Sequence, residues 1–207
     1  MRLPFAGPKS VSTAAQQIFT RIYDRNEWVF GSGEGSLPRT TGEYRTFLQS
    51  FLREKNIRSV TDAGCGDWQF SQMIDWAGIE YTGVDVVPDV IEKNEKQFAA
   101  SSIHFRCQDL LTEELPPADL LILKDVLQHL PFTAISRILS FSPQYRFILV
   151  TNDAATANDD TVIGGYRALD LRLSPFGLSA TEVLRYGGVS AVDEKAWEKV
   201  TLLLRNK

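Results

Sequence analysis

The sequence has little cysteine, and this shortage narrows the range of functions. Two cysteines, Cys65 and Cys107, occur among 207 residues, and they have no partners spaced like zinc ligands. Two thiols are too few for a disulfide framework, so we interpret each as a small buried or half-buried residue. The cysteine pattern therefore predicts neither a metal site nor redox chemistry.

Long apolar runs and excess positive charge are also missing. No stretch approaches the roughly 18 to 20 apolar residues that cross a bilayer, and residues 1–7 lack the apolar core of a secretory signal. Lys and Arg total 22 against 26 Asp and Glu, a net charge of −4 that would repel a polyanion. We therefore expect a cytoplasmic monomer or homodimer whose partners include neither nucleic acid nor a membrane.

The chain does contain a repeated alternation of short apolar runs and amphipathic segments. The apolar runs suit parallel strands that are covered on both faces, and they span residues 58–62, 81–86, 103–108, 119–124 and 146–151. Between them, residues 68–76, 88–100 and 132–141 have the pattern of crossover helices. This alternation predicts an α/β fold with a Rossmann-like, doubly wound, mostly parallel sheet and helices on both faces.

Further elements are predicted on either side of this core. Helical patterns cover residues 12–24 and 41–55, and a Gly/Ser loop, residues 26–40, joins them. Residues 154–179 are rich in Gly, Asp, Asn and Pro and predict a lid, and two more strands are expected at 182–186 and 199–205.

The length predicts a single domain. We divide it into N-terminal helices and the Gly/Ser loop (1–57), a cofactor-binding core (58–153), and the lid with the final strands (154–207).

The segment "VTDAGCGDWQF", residues 60–70, predicts a strand that enters a glycine turn. Gly64 and Gly66 form a G-x-G pair, but Gln69 stands where a dinucleotide fingerprint has its third glycine. Taken alone, this G-x-G pair could be a tight turn that only lets the chain reverse into a helix and binds no ligand. However, Asp85 ends the next predicted strand about 20 residues after the first glycine, where a carboxylate can accept both ribose hydroxyls. Gln108 and Asp109 end the third strand at the rim of the same crevice.

These residues resemble class I S-adenosylmethionine-dependent methyltransferases of the small-molecule type. The first motif of that family is an acidic residue followed by G-x-G-x-G, as Asp62, Gly64 and Gly66 are arranged here. The resemblance covers residues 59–151 and includes "ADLLILKDVLQHLP". It implies the seven-stranded methyltransferase fold and S-adenosylmethionine as the cofactor.

The resemblance also implies roles for individual residues. Asp62 and the backbone around the two glycines would hold the methionine part, Asp85 the ribose, and Asp109 the adenine amino group. The full set of expected cofactor contacts is Asp62, Gly64, Gly66, Trp68, Asp85, Val86, Gln108, Asp109, Leu110 and Lys124.

Two features near the glycine turn have alternative interpretations. Trp68 stands where the family commonly has glycine, and a cofactor without phosphate leaves room for it. It is either a wall of the cofactor pocket or the first buried residue of a helix. The Gly/Ser loop either folds over the cofactor or is a flexible linker.

Methyl transfer to a hydroxyl or ammonium group needs a base as well as in-line geometry. His104 lies inside the third predicted strand and is interpreted as a packed or surface residue. His129 follows the fourth strand in "KDVLQHLP", near Lys124 and Asp125. These three form the candidate catalytic set, although helix-start packing is an alternative role for His129.

Candidate acceptor-binding residues follow the fifth predicted strand. Asn152 and Asp153 could orient an acceptor or cap a turn. Tyr166 and Arg167 lie in the lid, and Arg167 and Arg172 could hold a carboxylate or phosphate by bidentate hydrogen bonds.

The sequence thus predicts methyl transfer from S-adenosylmethionine to a hydroxyl or amine of a small molecule, such as a sugar or a secondary-metabolite intermediate. Methylation of a protein or RNA, and cofactor binding without catalysis, remain alternatives. A nicotinamide-dependent reductase is disfavoured because Gln69 replaces the third glycine and no Tyr-x-x-x-Lys pair follows.

Overall fold

The computed structural model describes residues 13–140 and 142–205. The prediction for residues 1–7, and the outermost residues of two predicted helices, 12 and 141, lie outside these ranges. The strands are β1 (Ser59–Ala63), β2 (Glu80–Asp85), β3 (Ile103–Cys107), β4 (Leu120–Lys124), β5 (Phe147–Asp153), β6 (Thr181–Val189) and β7 (Ala196–Arg205).

Over the described residues, these strands form one sheet in the order β3-β2-β1-β4-β5-β7-β6. Strands β1 to β5 pair in parallel, whereas β7 runs antiparallel to both β5 and β6. The predicted doubly wound, mostly parallel sheet is therefore confirmed.

Four α-helices are described, and each matches a predicted helix within two residues: α1 (Ala14–Asp24), α2 (Gly42–Glu54), α3 (Pro88–Phe98) and α4 (Phe132–Ser140). The Thr13 hydroxyl caps α1 by accepting a hydrogen bond from the Gln16 amide at 3.1 Å. Pro88 opens α3, where its missing amide proton costs nothing. Among the described residues, no helix combines the length and apolarity that a membrane crossing requires.

The crossover helix predicted over residues 68–76 is wrong. One turn of 3₁₀-helix, Ser71–Met73, is present instead. Trp68 has a φ of +56°, outside the right-handed helical region, and Ile74 is extended. Ile74 and Trp76 are both buried although they are two residues apart, and a helix would direct them to different sides.

Two hydrophobic clusters sit on opposite faces of the sheet. Along β4, Leu120 and Ile122 belong to one cluster and Leu121 and Leu123 to the other, and all four are at most 1% exposed. Helices α2 and α3 cover the first face and α4 covers the second. Burial on both faces explains the continuous apolar runs in the sequence.

Trp68 belongs to the first cluster. Its ring lies 5.6 Å from that of Tyr81, 4.8 Å from Phe98 and 5.4 Å from Phe105, centroid to centroid. The side chain is 4% exposed. Trp68 is thus a core residue beneath the glycine turn.

Replacing Trp68 by alanine should lower the free energy of unfolding by about 3–5 kcal/mol, because losing a buried aromatic ring leaves a cavity. Urea denaturation followed by circular dichroism measures this loss. Met73→Ala, at a side chain in the same segment that is 51% exposed, is the control and should change the value by under about 0.5 kcal/mol. Equal losses in the two variants would contradict the core role of Trp68.

Candidate active site

A pocket opens where β1, β2 and β4 end at the carboxyl edge of the sheet. It encloses about 710 Å³, its open mouth included. Its base comes from the strand ends and the segments after them: Gly64, Gly66, Asp85, Val86, Asp109, Leu110, Leu111, Lys124, Asp125, Val126, His129 and Leu130. Its cover comes from α1 and the Gly/Ser loop: Ala15, Phe19, Tyr23, Trp28, Ser32 and Ser36. Ligands of open α/β sheets bind at this edge.

The two glycines are required by packing as well as by backbone conformation. Gly64 has a φ of +79°, and a Cβ there would lie 2.3 Å from Cγ2 of Val126. Gly66 has a φ of +55°, and its Cβ would lie 2.2 Å from the Ser32 hydroxyl oxygen. A side chain at either position would displace the residues that enclose the pocket.

Asp85 connects the end of β2 to the glycine turn. One of its carboxylate oxygens accepts from the Gly66 amide and the other from the Val87 amide, each at 3.0 Å. Burial raises the pKa of Asp85, despite these amide donors. Each carboxylate oxygen has a second lone pair, so Asp85 can accept further hydrogen bonds from a ligand in the pocket.

Asp109 and the two leucines after it form another part of the wall. Oδ1 of Asp109 accepts from the Leu111 amide at 2.8 Å and so fixes the turn after β3. The side chain of Asp109 is buried, and Leu110 lies beside it. This corner combines an apolar surface with a carboxylate.

The Gly/Ser loop lies over the pocket. Its hydrogen bonds to residues around the pocket fix it in place, so it is not a flexible linker between the two helices. The Ser32 hydroxyl oxygen accepts from the Asp67 amide at 2.8 Å and lies 2.6 Å from the Tyr23 hydroxyl. Farther along the loop, the Gly35 carbonyl accepts from the Lys124 ammonium at 2.8 Å.

The same loop is tied to the tip of the β6–β7 hairpin. The Glu34 carboxylate accepts from the Ser190 hydroxyl and from the Ala191 amide, each at 2.8 Å. The backbone hydrogen bond to Ala191 lowers the pKa of Glu34, so the ionised, accepting form is favoured.

A buried ionic cluster connects the ends of β4 and β5 to the start of β7. The Lys199 ammonium lies 2.7 Å from a carboxylate oxygen of Asp125 and 2.7 Å from one of Asp153. The Lys124 ammonium lies 2.6 Å from the other Asp125 oxygen. The other Asp153 oxygen accepts from the Tyr166 hydroxyl at 2.6 Å.

Electrostatics make Asp125 a poor base. Burial alone would raise the pKa of this carboxyl, but the ammonium groups of Lys124 and Lys199 outweigh burial and hold it well below its usual range. Burial lowers the pKa of Lys124, against the attraction of Asp125. The predicted catalytic roles of Lys124 and Asp125 are therefore better interpreted as electrostatic support than as proton transfer.

Lys199 was not identified from the sequence. One local feature could have indicated it: Lys199 interrupts the apolar strand "AWEKVTLLLR". It lies on the same side of the strand as the buried Thr201, so a buried lysine could be expected there. Burial acts to lower its pKa, but Asp125 and Asp153 raise the pKa above the ordinary lysine value.

His129 ends a 3₁₀ turn, Leu127–His129, directly after β4 and lines the pocket. Its Nδ1 lies 2.7 Å from the Gly165 carbonyl oxygen. A carbonyl can only accept, so Nδ1 carries the proton and Nε2 keeps a free lone pair. Burial lowers the pKa of His129, which keeps the ring neutral at neutral pH.

His104 does not belong to the site. It is exposed on β3, 3.8 Å from the Glu80 carboxylate, as a surface histidine was expected to be.

Three expected cofactor contacts do not line the pocket. The Asp62 carboxylate is buried behind the glycine turn, where it accepts from the Tyr81 hydroxyl at 2.7 Å. Burial raises the pKa of Asp62 to about 6. Gln108 turns away to donate to the Glu114 carbonyl, and Trp68 lies in the core. The structure thus corrects all three predictions.

None of the four expected acceptor-binding residues lines this pocket. Asp153 and Tyr166 line a neighbouring cleft. Asn152 is 2% exposed and lies between Thr151 and Asp153, which both contact β7, so its side chain points to the other face of the sheet. Arg167 donates to the backbone carbonyls of Leu127 and Leu130, at 2.8 Å in each case. It holds the lid to the segment after β4 and is not available for an acceptor carboxylate.

A comparison with family models identifies the core of this site. Residues 61–140, which include the glycine turn, Asp85, Asp109 and His129, match the model described as a methyltransferase domain. These 80 residues, about two fifths of the chain, are similar to a methyltransferase domain. Solved structures of the same fold were crystallised with S-adenosylmethionine or S-adenosylhomocysteine. A search of the curated proteins found no match.

Solved structures of methyltransferases share the fold of this chain. The 1,6-didemethyltoxoflavin-N1-methyltransferase of Burkholderia thailandensis has a TM-score of 0.64 and 14% identity, covering 100% of this chain and 94% of that chain. The N-methyltransferase NodS of Bradyrhizobium japonicum WM9 has a TM-score of 0.59 and 16% identity, covering 82% and 88%. The magnesium protoporphyrin IX methyltransferase of Synechocystis PCC 6803 has a TM-score of 0.58 and 19% identity, covering 96% and 100%.

The residues of the pocket fit S-adenosylmethionine, the cofactor that the resemblance implies. Asp85 would accept from the ribose hydroxyls, because its carboxylate faces the pocket with lone pairs to spare. Asp109 and Leu110 would meet an adenine, which needs an apolar surface and an acceptor for its amino group. Gly64 and Gly66 would leave the backbone open to the methionine part, since neither carries a side chain.

Replacing Asp85 by asparagine should weaken binding of S-adenosylhomocysteine by about 1–3 kcal/mol, because the hydroxyls lose a charged acceptor. Calorimetric titration measures the affinity. Asp89→Asn, at an exposed carboxylate four residues away on α3, should leave it nearly unchanged. Unchanged affinity in Asp85→Asn would rule out the ribose role.

Replacing Arg167 by methionine should lower the free energy of unfolding by about 1.5–3 kcal/mol, because three backbone carbonyls, including that of Asp159, lose a charged donor. Thermal and urea denaturation measure the loss. Arg106→Met, at an exposed position on β3, is the matched control. If Arg167→Met kept full stability and only lost affinity for acceptors, the structural role would be wrong.

Proposed function

We propose that this methyltransferase domain methylates a hydroxyl or amine of a small molecule and that His129 is the base. The observation that carries the proposal is the fixed tautomer of His129: its Nδ1 lies 2.7 Å from the Gly165 carbonyl, which leaves the Nε2 lone pair to accept a proton. His129 lies at the opposite end of the pocket lining from Asp85 and Asp109 along the sheet edge, beside Asp125 and Val126.

When bound, S-adenosylmethionine would supply an electrophilic methyl group, which leaves a neutral thioether after transfer. The protein must then position the acceptor, exclude water and take up the acceptor's proton. Nε2 of His129 takes this proton. The ionic cluster supports the same region with fixed charges that sum to zero, since two lysines face two aspartates.

Three observations support a small acceptor. The pocket is partly covered by α1 and the Gly/Ser loop, which leaves room for a small acceptor but no broad open surface for a macromolecule. The net charge of −4 disfavours an RNA acceptor. In addition, the solved structures described above include enzymes that are named for small-molecule substrates, 1,6-didemethyltoxoflavin and magnesium protoporphyrin IX.

Other features of the chain stay predictions from the sequence. These are the cytoplasmic location, a monomeric or dimeric state, and the division of the chain at residues 57 and 153. Of the remaining acceptor-site predictions, Asp153 and Tyr166 keep this role in the proposal, because they meet beside His129.

Replacing His129 by glutamine should lower turnover about 100-fold or more and leave the affinity for S-adenosylhomocysteine nearly unchanged, because only proton transfer is lost. Because burial lowers the pKa of His129 below the ordinary value of 6.5, the wild-type rate should hold as the pH falls through 6.5. It should decline at more acid pH, where the ring becomes protonated and loses its lone pair.

These rates are measured with methyl-labelled cofactor against a panel of hydroxyl and amine acceptors. His104→Gln changes the other histidine of the chain and serves as the control. Equal turnover in wild type and His129→Gln would remove His129 as the base. Cofactor binding with no turnover of any acceptor would favour a non-catalytic binding module.

A further inference from the structure

Trp28 and His129 line the reacting end of the pocket, and Tyr166 lies beside His129 in the neighbouring cleft. We call these three residues the aromatic rim. The His129 ring lies 5.2 Å from that of Trp28 and 6.0 Å from that of Tyr166, centroid to centroid. Tyr166 is 62% exposed, so most of its ring is accessible to a ligand. The three rings thus place flat apolar surface next to His129.

Tyr166 is held in one orientation although it is exposed. Its hydroxyl donates to Asp153 at 2.6 Å, and Asp153 is in turn fixed by Lys199. Its neighbours in the lid are fixed as well, because the Gly164 amide donates to the His129 carbonyl and the Arg167 amide to the Gln128 carbonyl. A ring that is already ordered loses little conformational entropy when a flat molecule stacks on it.

The cations of the pocket, the lid and the Gly/Ser loop are already committed. Lys124 and Lys199 are held by the carboxylates of the ionic cluster. Arg167 donates to backbone carbonyls, and Arg39 and Arg172 each pair with a carboxylate. Among the described residues, these segments therefore offer no uncommitted side-chain cation to an acceptor carboxylate or phosphate.

An anionic acceptor would thus be desolvated beside the rim without a partner, and an unpaired buried charge is costly. A flat, uncharged molecule would instead replace water on the ring faces and gain the burial of apolar area. The three rings and the balanced charges consequently favour the same kind of ligand.

We propose that the methyl acceptor is an uncharged, planar aromatic molecule with a hydroxyl or amino group, and that the Tyr166 ring forms one face of its subsite. This inference rests on the proposed function and narrows it, since sugars, sugar phosphates and aromatic acids are disfavoured. Tyr166 acts as a specificity residue: its ring binds the acceptor, and its hydroxyl sets the orientation of the ring.

The test uses the full chain loaded with S-adenosylhomocysteine and three matched kinds of probe. Naphthol and hydroxycoumarin are the planar, uncharged probes. Hydroxynaphthoate and hydroxycoumarin carboxylate add one negative charge to the same rings, and decahydronaphthol keeps the hydroxyl but is not planar. Binding is measured by calorimetric titration, and methyl transfer from labelled cofactor is measured in parallel.

We expect the planar, uncharged probes to bind at least about 10-fold more tightly than the carboxylated and the saturated probes, a ratio that corresponds to about 1.4 kcal/mol. Tyr166→Leu should remove most of this preference by weakening the planar probes about 10-fold. Tyr166→Phe keeps the ring but loses the hydrogen bond to Asp153 that orients it, so its affinity for the planar probes should fall between those of wild type and Tyr166→Leu. Val189→Ala, at an exposed residue of the β6–β7 hairpin, is the surface control.

The outcomes separate this inference from the proposed function. If S-adenosylhomocysteine binds but no planar probe does, or if the carboxylated probes bind equally well, the aromatic acceptor is wrong and methyl transfer to another small molecule can still be tested. Planar binding that is unchanged in Tyr166→Leu would also overturn the inference. If S-adenosylhomocysteine itself does not bind, the proposed function fails first.

Discussion

The bridge from Lys199 to Asp125 and Asp153 is the interaction on which the arrangement of the site depends. It joins β7 at the carboxyl edge of the sheet to the ends of β4 and β5. Asp125 has a φ of +59°, an uncommon conformation for a residue other than glycine, and the two lysines hold its carboxylate there. Removing one partner of such a cluster would leave a buried charge without compensation, which costs far more than an exposed pair contributes.

The fold was largely predictable because burial on both faces leaves a direct mark on the sequence. The strands at residues 120–124 and 147–153 read as apolar runs for this reason. The segment after the glycine turn was not predictable in the same way. Its apolar residues suggested a helix, but Trp68 adopts a left-handed backbone conformation, and Ile74 and Trp76 are both drawn into the core. Tertiary packing overrode local periodicity there.

The site was predictable in part, and the limit is physical. Asp85, Asp109 and His129 follow strand ends, and in a parallel sheet the strand ends share one edge, so the sequence places them together. Arg167 and Asp62 are charged residues close to the strand ends that form the pocket. The sequence does not show whether such a side chain faces a ligand or instead bonds to a buried backbone carbonyl or hydroxyl group. Lys199 was missed because its partners lie more than forty residues earlier in the chain.

The fastening of the Gly/Ser loop has a kinetic consequence. Ser32, Glu34 and Gly35 tie this loop to the glycine turn, the hairpin tip and the ionic cluster, respectively. Because the loop covers part of the pocket, these hydrogen bonds restrict the access of a ligand that binds beneath it. If they must open for exchange, the residence time of that ligand would depend on the loop as well as on the reacting groups.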